Sequence, residues 1–73
     1  MKVRDLLGRL WFLQELMIIK EGDFSPMGAE VMRDYALFTG NISAMSSVLY
    51  KDILDMIVVS FGQMDGYIIV EVK

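Results

Sequence analysis

The sequence predicts an α+β domain: an N-terminal helix packed on an antiparallel sheet of about four strands, with a short second helix before a C-terminal β-hairpin. Three observations carry this expectation. Val3, Leu6, Leu7, Leu10 and Leu13 recur at helical spacing. Leu16–Ile19 and Met56–Val59 are short, unbroken apolar runs of strand length. Asp65-Gly66 separates segments of strand character and is the strongest short-range hairpin signal in the chain. With 73 residues, the sequence has room for one domain, residues 1–73.

Taken in order, Lys2–Leu13 is expected as an amphipathic helix, with Lys2, Arg4, Asp5 and Arg9 on the polar side. Gly8 weakens it by about 1 kcal/mol relative to Ala. Trp11 and Phe12 offer too much aromatic surface for one stripe, so one of them is expected at the rim of the core. Glu15–Glu21 reads as a strand ending at the Gly22-Asp23 turn; an apolar run without alternation calls for cover on both faces. Ser25-Pro26 is a good helix start, N-cap then first helical residue. Two readings follow: one helix over Pro26–Phe38, or, preferred, a short helical turn near Pro26–Arg33 and a strand over Tyr35–Ile42. Ser43 is placed as the N-cap of a short second helix over Ser43–Tyr50, and Lys51–Leu54 as a connector. Asp55–Phe61 reads as a strand, Gly62–Asp65 as its loop, and Tyr67–Val72 as the last strand. There Ile68, Val70 and Val72 face the core, with Tyr67, Ile69 and Glu71 opposite.

Composition narrows the chemistry. No Cys and no His are present. A disulfide scaffold, Cys-His and Ser-His-Asp catalysis, and the usual transition-metal sites are therefore excluded. The net charge is −3 with no basic run, which gives no electrostatic reason to seek nucleic acid. No stretch approaches the roughly 18 apolar residues of a membrane helix, and charges interrupt any signal-peptide core. A cytoplasmic setting with no membrane partner is expected. The hydrophobic share is 55%, against a usual figure of about 45–50% even with glycine counted. A domain this small buries only about 60% of its unfolded surface, so self-association into a homodimer or larger is expected to cover the excess.

Several segments together resemble a loose class of small proteins encoded by phages and integrated elements of low-GC Gram-positive bacteria. These are the opening Lys2-Val3-Arg4-Asp5-Leu6-Leu7, the strand Leu16-Met17-Ile18-Ile19, and Leu37-Phe38-Thr39-Gly40-Asn41-Ile42-Ser43. Ile57-Val58-Val59-Ser60-Phe61 and the closing Asp65-Gly66-Tyr67-Ile68-Ile69-Val70-Glu71-Val72 complete the set. The likeness covers both ends of the chain, while Gly22–Asp34 departs from the pattern by its length. It implies an α+β fold, a mobile-element setting and a strand over Tyr35–Ile42. It transfers no functional residue.

The carboxylates Glu21, Asp23, Glu30, Asp52 and Asp55 read as solvated acids at element ends. They carry neither the paired spacing of a glycosidase nor a cation-loop pattern. No glycine-rich phosphate loop occurs. No catalytic, cofactor-binding or metal site is therefore expected. Met17, Met32, Met45 and Met56 are expected to fill the core, the commoner use of Met. The remaining candidates, Trp11, Phe12, Phe24, Met27, Met64 and Tyr67, are expected to contact a protein partner, since aromatics and adaptable methionines are enriched at interfaces. The expected function is a non-enzymatic interaction module of mobile-element type, one that inhibits a host defence protein being a case in point. The alternative is a structural or self-assembling small subunit with no ligand.

Overall fold

A four-stranded sheet with helices on both faces is the frame of the computed structural model, which describes residues 1–45 and 50–73. The strands are β1 (Glu15–Lys20), β2 (Phe38–Asn41), β3 (Val58–Met64) and β4 (Tyr67–Val72), in spatial order β2-β1-β4-β3. The helices are α1 (Val3–Leu7), α2 (Ala29–Arg33) and α3 (Lys51–Leu54), with a 3₁₀ turn at Ile42–Ala44.

The α+β class and the four strands match the expectation from sequence, but the sheet is mixed. β1 pairs antiparallel with β2 and β3 with β4, whereas the central pair β1–β4 is parallel, with Leu16 beside Ile68 and Ile18 beside Val70. The reason lies in burial. β1 holds four consecutive buried residues, Leu16–Ile19, and β4 holds Ile68–Val70 and Val72. Strands apolar on both faces belong at the centre of a two-sided sheet, the usual place of a parallel pair.

Alternation divides these strands between two cores. Leu16, Ile18, Phe38, Ile68, Val70 and Val72 meet Val3, Leu6, Leu7 and Leu54 on one face. Met17, Ile19 and Ile69 meet Ala29 and Met32 of α2 on the other. The expected face assignment of β4 and the cover on both sides of β1 are therefore present. Met45 and Met56 pack against the first core, and Met17 and Met32 are fully buried in the second.

Element boundaries differ from expectation along the chain: β2 is Phe38–Asn41 rather than Tyr35–Ile42, and β3 begins at Val58 rather than Asp55. The N-terminal helix stops at Leu7 rather than Leu13. Gly8 caps it, and Arg9 and Leu10 donate to Leu6 and Leu7, tighter turns that lead the chain out of the helix. The stretch after Pro26 follows the preferred reading, a short helix and then a strand, but the helix begins at Ala29. Ser25 caps only the preceding turn, its hydroxyl accepting from Met27 N–H at 3.2 Å. Lys51–Leu54 is a helical turn, not a connector; it points Leu54 into the core. β3 extends to Met64, so Gly62 and Met64 are strand residues and the loop is Asp65-Gly66 alone. The short helix expected over Ser43–Tyr50 falls partly outside the described residues. Its described start is the 3₁₀ turn, capped by Asn41 rather than Ser43: Asn41 Oδ1 accepts from Ala44 N–H at 3.1 Å and from the Ser43 hydroxyl at 2.6 Å.

Candidate interaction surface

The register defines one end of the sheet. Glu15 lies opposite Asn41, Leu16 beside Ile68, and Met64 opposite Tyr67. The approach to β1, the end of β2 and the β3–β4 turn therefore share this end. Here the chain turns through Trp11–Gln14, with Gln14 N–H donating to Trp11 C=O at 2.9 Å and Ser43 N–H to Phe12 C=O at 3.1 Å. These two bonds hold the backbone while three consecutive side chains face outward: Trp11 is 66% exposed, Phe12 57% and Leu13 44%. The Trp11 and Phe12 rings meet edge to face, centroids 6.3 Å apart.

The β3–β4 turn takes the mirror-image geometry that suits a two-residue hairpin, Asp65 at φ 53° and Gly66 at φ 85°. Its aspartate reaches beyond the turn. Asp65 Oδ2 accepts from Ala29 N–H at 2.9 Å and so caps α2, whose own N-cap, Gly28, has no side chain. Gly28 sits at φ 133°, and a Cβ there would stand 3.2 Å from that carboxylate oxygen. This link also brings Met27, 83% exposed, to the turn end of the molecule. An open depression of about 460 Å³ lies between Gln14, Gln63, Met64, Asp65, Gly66 and Tyr67.

The expected contact residues divide three ways. Trp11, Phe12 and Met27 are exposed at or beside this end. Met64 and Tyr67 line the depression but lean on the second core, and Tyr67 is engaged within the chain. Arg33 donates to its hydroxyl and lies 5.7 Å from its ring centroid. Phe24 is exposed, but it follows Asp23, whose carbonyl accepts from the Tyr35 hydroxyl at 2.8 Å near the far end of β1. Leu13 and Phe61 are further exposed apolar residues: in the sequence Leu13 reads as the last core position of a long helix, and Phe61 only as the end of a strand.

The acids are dispersed. Asp55 pairs with Arg4 at 2.6 Å, Asp65 caps α2, and Asp5 accepts from Lys2 N–H at 3.1 Å. Among the described residues no three acids gather into a cation cage, and no helix is long and apolar enough to cross a membrane. Set beside known protein families, curated proteins and solved structures, the chain matches none of them.

Proposed function

We propose that the chain is a non-enzymatic protein-interaction module and that Trp11, Phe12 and Leu13 form the centre of its binding face. The observation that supports this is their combination of exposure and order. Three large apolar side chains in a row face solvent on a backbone fixed by two hydrogen bonds. Holding aromatic anchors in place before binding reduces the entropy lost on association, and aromatic anchors dominate interface energetics. Met27, exposed near the β3–β4 turn, offers an adaptable apolar side chain of the same kind. On the resemblance to phage-encoded proteins, the partner is a protein of the bacterial host or of the element, a defence protein being the case of interest.

Affinity capture from the source cells, comparing the wild type with Trp11→Ser/Phe12→Ser and with Phe24→Ser, tests the reading. The first variant should lose a partner that the wild type and the Phe24 variant both retain. Identical captured sets for all three would overturn it. The alternative of a self-assembling subunit is favoured by a different feature, the outer edge of β3.

A further inference from the structure

We propose that the free edge of β3 pairs antiparallel with β3 of a second copy, joining two sheets into one about a two-fold axis at Gly62. The inference does not rest on the Trp11–Leu13 surface.

β3 is the outermost strand on its side of the sheet. The start of its outer edge is occupied by the N-terminal segment: Val58 N–H donates to Met1 C=O at 2.8 Å, and Val3 N–H to Met56 C=O at 2.9 Å. The β3–β4 turn closes the other end. Between these limits Ser60–Met64 has no strand on its outer side among the described residues. In a hairpin with a two-residue loop, the pair flanking the loop, Met64 and Tyr67, exchanges both backbone bonds, and the pattern then alternates. Gln63 opposite Ile68 and Phe61 opposite Val70 are therefore the non-bonded pairs. Their own N–H and C=O groups point away from β4, along the open edge.

Natural edge strands are blunted with Lys, Pro or inward-pointing charge. The run Met56–Met64 contains no charged residue and no Pro. The opposite edge is only the four residues of β2, ending directly in the capped 3₁₀ turn. One edge is thus short, the other longer, open and neutral.

A second copy is the occupant that the open span fits. Ser60–Met64 is centred on Gly62, and a two-fold axis there places Phe61 opposite Gln63 of the second copy, which matches the two outward-facing sets of backbone groups. Four N–H···O bonds close. No acid faces an acid, because Asp65 falls opposite Val59 of the other copy. Phe61, 58% exposed in the single chain, becomes the diagonal neighbour of its own symmetry mate, within aromatic reach on the same face. The two Gly62 residues form the close pair, with Cα atoms about 4.5 Å apart.

Light scattering over a concentration series reads the assembly directly, the expected mass being twice the 8.3 kDa chain. Gln63→Pro removes an outward N–H, a change that edge strands tolerate, and should give a folded chain of single mass. Register is tested with cysteines, of which the chain has none. Gly62→Cys adds a Cβ into open space at a separation a disulfide can span. It should cross-link on mild oxidation. Ser60→Cys should not, since its symmetry mate lies about 13 Å away along the strand. Single-chain mass for the wild type at every concentration overturns the proposal, as does cross-linking of Ser60→Cys as fast as Gly62→Cys. A folded Gln63→Pro that keeps the doubled mass also overturns it. If Gln63→Pro fails to fold, the cysteine pair decides. Loss of the doubled mass in Trp11→Ser but not in Gln63→Pro would place the dimer contact on the other surface instead.

Discussion

Asp65 does two jobs through one side chain. Its backbone occupies the left-handed region, which Asp tolerates better than most residues, and its carboxylate caps α2 from 36 residues away in sequence. Asp65→Ala should therefore lose both contributions and lower stability by about 1–2 kcal/mol. Asp65→Asn keeps an oxygen acceptor and the turn preference, and should lose clearly less. Urea melts of the two variants check this; equal losses would show that neither the retained oxygen acceptor nor the turn preference stabilises the fold. Next to it, Gly66→Val puts a β-branched residue at φ 85° and should cost about 1 kcal/mol or more through strain. The Arg4–Asp55 pair shows the opposite case. Although its closest approach is 2.6 Å, both side chains are more than two-fifths exposed. Arg4→Ala should shift the same melts by less than about 1 kcal/mol. The turn itself was readable in Asp65-Gly66. The cap was not, because nothing local marks a bond between positions 29 and 65.

At the scale of elements, the central strands were the most legible. Leu16–Ile19 carries enough consecutive apolar residues to demand burial on both faces, and it is buried on both; Met56–Val59, read the same way, instead leads into the exposed edge strand, while Ile68–Val70, expected to alternate, is the run buried on both faces. The same two-sided burial suits β1 and β4 to a parallel pair, an arrangement absent from the antiparallel sheet expected from sequence. The helices were harder. Each of α1, α2 and α3 has five residues or fewer, too short for periodicity to separate helix from turn. The leucine spacing through Leu10 and Leu13 runs on after the helix has ended, because Leu10 reaches the first core from a turn. The face assignment of β4 yields a direct test. Val70 is fully buried between Ile18 and Phe61 in register. Val70→Asp would bury an unpaired charge, at a cost of several kcal/mol. A domain of this size has only about 3–5 kcal/mol from its core to lose. Circular dichroism should show an unfolded chain at room temperature, and a native spectrum would mean the strand faces are misassigned. Tyr67→Thr, partly exposed on the other face, gives up the Arg33 contact and should remain folded.

Seen as a whole, the molecule places its stability in the middle of the sheet and its exposed apolar surface at the margins. β1 and β4 are shielded by cores on both faces, while β3 is exposed along nearly its whole length. The apolar excess of the composition is therefore not hidden in a larger core. It surfaces as Trp11–Leu13 at one end and as Val59 and Phe61 along one edge. Trp11 and Phe12 were legible by position as contact candidates; Val59 and Phe61 were not, since the chain pattern for a covered strand and for an open edge is the same until the strand order is known. Strand order also sets the hydrogen-exchange behaviour. The amides of Met17, Ile18 and Ile19 should exchange only by global unfolding. In a single chain, those of Phe61 and Gln63 point to solvent and should exchange within seconds. Edge pairing changes the second expectation alone: raising protein concentration should slow Phe61 and Gln63 while Ser60 and Gly62, already bonded to β4, gain much less. Residue-resolved exchange at two concentrations therefore separates an open edge from a paired one within the intact protein. Uniform slowing of all four amides would count against an edge whose donors alternate in and out.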